Sequence, residues 1–227
     1  MWVKICGTTN LEDARVAVEA GVDALGFVFA KSPRRVTAEQ AGEIVSRLGQ
    51  TVEKIGVFVD EDFDGIVRTV LTAGLTGVQL HGPVDTGLAV RLRERFAEGL
   101  KILQVLHFGA GEDALDERLN ALRRAGAVDA VLVDSQTAQA QGGTGVKYDW
   151  AAARRSFVDA AGHLPMVVAG GLTPENVREA IATLEPWGVD VVSGVEAAPG
   201  RKDREKVRAF VERARVAALQ ERSAGGA

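Results

Sequence analysis

The single cysteine of this 227-residue chain stands at the point where a strand gives way to a helix. Trp2 to Gly7 predicts a strand whose alternation sends Lys4 and Cys6 to one face. Thr9 and Glu12 have the spacing of a capping box, so a helix is expected to follow directly. A lone cysteine is often a small buried hydrophobe, but a cation nearby favours the thiolate that could act as a base.

Further polar side chains fall at or near the ends of other predicted strands, with Val, Ile or Leu at the alternating positions. They are Gln79, His81, Asp134 and Asp190. Polar groups buried there would cost several kcal/mol unless they met each other or a ligand. Two alternatives stay open: the aspartates could cap loops or helices, and His81 could be a loop residue before a Gly-Pro turn.

Short glycine-containing segments follow the seventh and eighth predicted strands. Gly170-Gly171 and Ser193-Gly194 supply backbone N–H groups that a phosphate could approach closely, and Gly145 could add another. Tight turns would explain either pair alone. Their joint occurrence after strands seven and eight favours a phosphorylated ligand.

Eight short strand patterns alternate with helical patterns along the chain, which predicts an α/β fold, a single-domain (β/α)8 TIM barrel over residues 1–219. Thr37 and Gln40 predict a second capping box, Thr173 is expected to cap a helix, and another helix is expected from Asp149. The last helix is predicted to end near Leu219, followed by a disordered tail over 220–227. A doubly wound open sheet is disfavoured by the count of eight and by the missing G-x-G-x-x-G after the first strand.

The composition excludes several classes of function. With 46% hydrophobic and 26% charged residues and a net charge of −4, the chain is typical of a globular protein and has no nucleic-acid or membrane signature. No segment resembles a signal peptide or a bilayer-spanning run. One cysteine excludes an internal disulfide and agrees with a cytoplasmic location.

In its motifs the chain resembles the phosphoribosylanthranilate isomerases of tryptophan biosynthesis. The resemblance extends over nearly the whole chain and is carried by KICGTTN (4–10), GFVF (26–29), SPR (32–34), GVFV (56–59), VQLHG (78–82), GGTG (142–145), AGGLTPENV (169–177) and VDVVSGVE (189–196). It implies an enzyme that converts N-(5'-phosphoribosyl)anthranilate to 1-(2-carboxyphenylamino)-1-deoxyribulose 5-phosphate in an Amadori rearrangement, with no metal and no cofactor.

The same resemblance implies roles for individual residues. Cys6 is expected to be the general base and Asp134 the general acid. Arg34 is expected to bind the anthranilate carboxylate, and the glycine loops the phosphate. Asp190 is expected to lie near the ribose. Apart from the resemblance, the positions of His81 and Lys4 at predicted strand ends favour contact with the substrate. At strand five, Gln104 stands where the family often has lysine, which puts substrate selectivity in question.

The chemistry requires opposite protonation states of the two catalytic groups. We expect Lys4 to favour the Cys6 thiolate, and we expect burial beneath a closing loop, Ser135 to Lys147, to keep Asp134 protonated.

Three rival interpretations explain the sequence less well. A metal-dependent pentose-phosphate epimerase would need histidines and aspartates converging from several strand ends, and His81 is the only histidine at a predicted strand end. A bifunctional isomerase would be expected to use two aspartates and to show a doubled half-barrel pattern, and Cys6 at the end of the first strand speaks against it. A non-catalytic barrel that binds a phosphorylated ligand would leave Cys6 and Asp134 unexplained. The outer helices show no long apolar stripe, which favours a monomer.

Overall fold

The computed structural model describes residues 1–107, 112–134 and 164–224. Eight parallel strands pair in chain order and close into a barrel in which β1 pairs with β8, so the predicted TIM barrel is confirmed. The strands are β1 Trp2–Ile5, β2 Ala24–Val28, β3 Glu53–Phe58, β4 Gly77–Leu80, β5 Lys101–His107, β6 Ala130–Asp134, β7 Met166–Ala169 and β8 Gly188–Val191.

The described helices pack around the outside of the barrel. They are α1 Leu11–Glu19, α2 Ala38–Val45, α3 Phe63–Ala73, α4 Thr86–Phe96, α5 Glu112–Ala125, α6 Val177–Leu184 and α7 Arg204–Ala224. None of the described helices is long and apolar enough to cross a membrane.

Strand alternation divides the apolar residues into two layers. Residues such as Val3 and Ile5 face outward and join the large core between strands and helices. Ile55, Leu103 and Leu132 face inward and fill the lower part of the barrel. The polar residues at the strand ends continue this inward set toward the carboxyl end, where barrel enzymes carry their active sites.

Gln104, whose replacement of a lysine put substrate selectivity in question, does not line the cavity at the carboxyl end of the barrel. It lies between the inward-facing Leu103 and Val105, so it points to the outer layer and is fully buried there. Its side-chain amide donates to the backbone carbonyls of Leu80 and Val105, both at 3.1 Å, which gives it a structural role between neighbouring strands.

The ends of helices show where local prediction succeeds. Thr37 and Gln40 form the predicted capping box. The box predicted at Thr9 is wrong, because Asn10 caps α1 by accepting from the Asp13 N–H, while the Thr9 hydroxyl donates to the carbonyl of Gly200.

Two other helix boundaries also differ from the prediction. The Thr173 hydroxyl accepts from the Glu175 N–H at 3.1 Å, as a capping residue does, but it caps the turn before α6, which starts only at Val177. Helix α7 continues to Ala224, five residues beyond the predicted end at Leu219, and residues 225–227 lie outside the described residues.

One element was not predicted. After β8, a short 3₁₀ turn, Ser193–Val195, leads into an antiparallel hairpin of β9 Glu196–Ala198 and β10 Arg201–Lys202. Gly200 has a φ of 78° in its tight turn, a conformation that favours glycine. The hairpin therefore places two charged residues, Glu196 and Lys202, beside the first strand.

Some predictions fall on residues that the structure does not describe. They are the helix expected from Asp149, the phosphate contact at Gly145 and the closing loop Ser135 to Lys147.

Candidate active site

A cavity of about 320 Å³ opens at the carboxyl ends of the strands. It brings together most of the predicted site residues from across the barrel. Those lining it are Cys6, Arg34, His81, Asp134, Gly170, Gly171, Asp190 and Ser193. The alternation of the strands, together with closure of the barrel, brings the strand residues Asp134 and Asp190 to the same cavity as Cys6.

Cys6 stands at the wall of this cavity, just beyond the end of β1. Its N–H donates to the carbonyl of Val191 at 2.9 Å, which ties it to β8. Gly26, on the neighbouring strand, makes room for the thiol, because a Cβ there would lie 2.4 Å from Sγ. A glycine in a strand interior often marks such a close approach.

Lys4 lies one layer deeper than Cys6 and is fully buried. Its Nζ lies 3.0 Å from Oδ1 of Asp190 and donates to Oε1 of Gln79 at 2.9 Å. Burial opposes the charge, but Asp190 and the Cys6 thiol outweigh it, so the pKa of Lys4 is raised above its usual value. The lysine was expected to contact the substrate, and the structure instead places it beneath the cavity.

The thiol does not ionise as readily as the sequence suggested. Burial raises the pKa of Cys6, and Asp190 raises it further, while Lys4 and Lys202 offset only part of this effect. Lys4 therefore favours the thiolate, as predicted, but it does not outweigh burial, so Cys6 is not a ready thiolate. A thiol with a raised pKa is instead a stronger base whenever it does ionise.

Arg34 reaches the cavity from the loop after β2 and is held there by Glu196. Its Nε donates to Oε1 at 2.8 Å and its Nη2 donates to Oε2 at 2.6 Å. The paired hydrogen bonds, which outweigh the cost of partial burial, raise the pKa of Arg34 above its usual value. Gly7, with a φ of 77°, lies against this side chain, since a Cβ there would approach Cδ of Arg34 to 2.7 Å.

Lys202 completes this network from the far strand of the hairpin. Its Nζ contacts Oε1 of Glu196 at 3.2 Å and donates to the backbone carbonyls of Cys6 at 2.6 Å and Val192 at 3.2 Å. The sequence analysis missed both charged residues. A signal was present in Pro199-Gly200, which predicts a turn and would bring the two strands of a hairpin together.

Asp134 ends β6 and lines the cavity, with its backbone in register with Ala169 of β7. It is partly exposed, and the loop predicted to cover it lies outside the described residues. His81 lines another part of the wall, with Nδ1 3.4 Å from Nε2 of Gln79.

The ends of β7 and β8 form the glycine-rich side of the site. Gly170 and Gly171 have φ angles of 86° and 64°, so their peptides turn in a way that favours glycine. Gly194 does not line the cavity. Its Cα packs against the loop after β7, where an added Cβ would lie 1.9 Å from the carbonyl oxygen of Leu172.

Among the described residues, no cluster of three or more His, Cys, Asp or Glu side chains could hold a metal ion. The polar groups of the cavity include a thiol, two carboxyl groups, a histidine, an arginine and glycine-rich loops. This fold, with polar groups gathered at the carboxyl ends of its strands, is the arrangement found in (β/α)8 barrel enzymes.

The chain belongs to the N-(5'-phosphoribosyl)anthranilate isomerase family, whose model matches residues 3–213. A relative of that name from Geobacter sp. (strain M21) is 45% identical over 214 residues, which are 94% of this chain and 97% of the relative. The crystal structure of phosphoribosyl anthranilate isomerase from Thermotoga maritima superposes with a TM-score of 0.83 at 37% identity, covering 95% of this chain and 99% of that one.

A further solved structure contains a ligand. It is a phosphoribosyl anthranilate isomerase in complex with reduced 1-(o-carboxyphenylamino)-1-deoxyribulose 5-phosphate. The similarity has a TM-score of 0.78 at 35% identity and covers 95% of this chain and 99% of that one.

Proposed function

We propose that this chain isomerises N-(5'-phosphoribosyl)anthranilate in tryptophan biosynthesis by general acid–base catalysis, with Cys6 as the base and Asp134 as the acid. The observation that carries the proposal is that both groups line one cavity of a barrel whose family match extends from residue 3 to residue 213.

The reaction assigns one proton transfer to each group. Asp134 donates a proton to the furanose ring oxygen, the ring C–O bond breaks, and the nitrogen lone pair forms an iminium. The Cys6 thiolate then removes the proton from the adjacent carbon to give an enolamine, which tautomerises to the ketone. The raised pKa of Cys6, caused by its burial, makes the thiolate scarce at neutral pH but more basic once formed.

Substrate binding follows the polarity of the cavity. Arg34 suits the planar anthranilate carboxylate because a guanidinium can bind it with two hydrogen bonds. The backbone N–H groups of Gly170, Gly171 and Ser193 suit the phosphate, and Gly145 is proposed to join them. His81 and Asp190 also line the cavity, and we propose that they contact the ribose.

A turnover assay with purified protein tests the function directly. The anthranilate group is fluorescent, so its change during the reaction is expected to follow conversion of N-(5'-phosphoribosyl)anthranilate to the ketose. Binding of the substrate without conversion would identify the protein as a non-catalytic barrel for phosphorylated ligands and would refute the proposal.

We further propose a cytoplasmic monomer. Its one thiol lies in the cavity, where it must stay reduced to act as a base. The large exposed hydrophobic side chains of the described residues are few, namely Val59, Leu71, Trp187 and Leu219. One solved relative, from Thermotoga maritima, is described as dimeric. Light scattering coupled to size exclusion should give a mass near 24.0 kDa, and twice that mass would contradict a monomer.

A further inference from the structure

The arginine proposed to bind the substrate carboxylate has its direction fixed by a second carboxylate. Arg34 uses Nε and Nη2 to hold both oxygens of Glu196, so three of the five N–H donors of its guanidinium are left over for other partners. The arginine side chain is 20% exposed and that of Glu196 only 4%, so the open side of the pair is the arginine.

Glu196 is itself held rigidly. Besides Arg34, its Oε1 accepts from the N–H of Gly200 at 3.1 Å and from Nζ of Lys202 at 3.2 Å. Burial opposes the charge on this carboxylate, but Arg34 and Lys202 outweigh it and lower the pKa of Glu196 below its usual value. The carboxylate therefore stays ionised at neutral pH and has few ways to turn.

Lys202 also connects the Arg34–Glu196 pair to the candidate base, Cys6. Lys202 Nζ donates at 2.6 Å to the carbonyl of Cys6, the residue whose thiol faces the cavity. The backbone that carries the thiol and the carboxylate that carries the arginine thus share one buried ammonium group. Their relative positions are set by the hairpin β9–β10, which comes almost two hundred residues after Cys6.

We infer that Glu196 is a positioning residue for substrate recognition. By holding two donors of Arg34, it aims the remaining donors at the place of the anthranilate carboxylate, so that recognition of an ortho-carboxylate depends on a residue that does not touch the substrate. This inference rests on the proposed role of Arg34. The alternative is that Glu196 only stabilises the hairpin.

Two non-reacting ligands separate these possibilities. One is the reduced product analogue, which carries the 2-carboxyphenylamino group on a deoxyribitol 5-phosphate. The other is the same molecule with a phenylamino group, which lacks the carboxylate. Dissociation constants for both would be measured by calorimetry with the wild type, Glu196→Gln, Arg34→Met, the double variant and Thr9→Val.

Glu196→Gln keeps the size of the side chain but places an amide N–H where Arg34 needs an acceptor. It should weaken the carboxylate-bearing ligand at least about 5-fold and change the other ligand less than about twofold. In the Arg34→Met background the same substitution should have no further effect, because the two changes act through one contact. Thr9→Val is the matched control, since it removes a hydrogen bond to the hairpin at Gly200 without altering Glu196. Both ligands should bind this control as they bind the wild type.

The possible failures are distinct. If Arg34→Met leaves the binding of both ligands unchanged, the proposed role of Arg34 fails. If Arg34→Met weakens only the carboxylate-bearing ligand, but Glu196→Gln weakens both ligands equally or acts fully in the Arg34→Met background, Glu196 is a structural residue and the inference is overturned. Should Glu196→Gln not fold, Glu196→Asp keeps the charge beside Lys202 and withdraws the carboxylate by one methylene. It must then show the same selective loss for the inference to survive.

Discussion

Each end of the barrel interior contains a lysine paired with a carboxylate, and the two pairs lie in very different surroundings. At the amino end, Lys101 pairs with Glu53, and the two side chains are 25% and 32% exposed. Toward the carboxyl end, Lys4 pairs with Asp190, and these side chains are 0% and 5% exposed.

The different exposure of the two ion pairs gives them different effects on stability and on the active site. Solvent screens the amino-end pair, so it resembles a surface salt bridge of small net worth. The buried pair carries the full desolvation cost and depends on its internal partners. Its position next to Cys6 also means that its charges act on the candidate base. The amino end of the barrel is therefore concerned with stability, and the carboxyl end combines stability with chemistry.

The largest expected effect tests the chemistry at the carboxyl end. Cys6→Ser keeps the size of the side chain but raises the pKa of the hydroxyl far beyond that of a thiol, so little base is available. We expect kcat to fall by roughly 10²–10⁴ with KM little changed. Steady-state kinetics with folded protein would measure this. A kcat close to that of the wild type would end the thiolate proposal and make Asp190 the next candidate base.

The second prediction concerns Lys4→Met, which leaves Asp190 buried without its cation. Removing one partner of a buried ion pair typically costs about 3–5 kcal/mol, so a loss of this order in the free energy of unfolding is expected. Urea denaturation would measure it. A loss below about 1 kcal/mol would show that the Lys4–Asp190 pair behaves like the exposed one, and the contrast between the two ends would fail.

The third prediction concerns how kcat/KM depends on pH in the wild type and in Lys4→Met. Burial raises the pKa of Cys6, so kcat/KM of the wild type should still be rising with pH at and beyond about 8.5, the ordinary value for a free thiol. Because Lys4 is among the groups that lower the pKa of Cys6, the rise in Lys4→Met should move to still higher pH. A rise that is complete below pH 7, or one that does not move in the variant, would contradict this account.

The relation between Lys4 and Asp190 also shows what the sequence could provide. Alternation correctly assigned Lys4, Cys6 and Asp190 to the interior, because a period of two depends only on local strand geometry. Alternation did not reveal that Lys4 forms an ion pair with Asp190. Yet these two residues are direct register partners once β1 pairs with β8, so the pairing follows from closure of the barrel.

The roles of Glu196 and Lys202 could not be predicted locally, although Pro199-Gly200 indicated the turn between them. Their functions depend on a hairpin that docks onto the first strand, with contacts between residues such as Lys202 and Cys6 that are 196 positions apart. Nothing in the alternation of strands indicates such a contact. Gln104 was a simpler error, since its place between two inward-facing residues already pointed it outward.

The fourth prediction probes the phosphate side of the carboxyl end. Gly171 has a positive φ, and an added Cβ would meet open space. Asp and Asn both tolerate this conformation, so Gly171→Asp and Gly171→Asn share the backbone cost and differ in charge. The aspartate should raise KM for the phosphorylated substrate at least about 10-fold more than the asparagine does. Equal KM values for the two variants would remove this loop from the phosphate site.

The smallest effect is expected at the amino end, where Lys101→Met makes the same substitution as Lys4→Met. Lys101 pairs with Glu53 and also lies over the stacked rings of Trp2 and Trp187, 5.5 and 5.4 Å from their centroids. Solvent reaches both members of the ion pair, and methionine can pack against the same rings, so we expect a loss of about 0–1 kcal/mol in the free energy of unfolding. The melting temperature should fall by no more than about 4 °C, with kcat and KM unchanged. A loss as large as that of Lys4→Met, or any fall in kcat beyond about twofold, would mean that this end of the barrel is coupled to the active site through the interior.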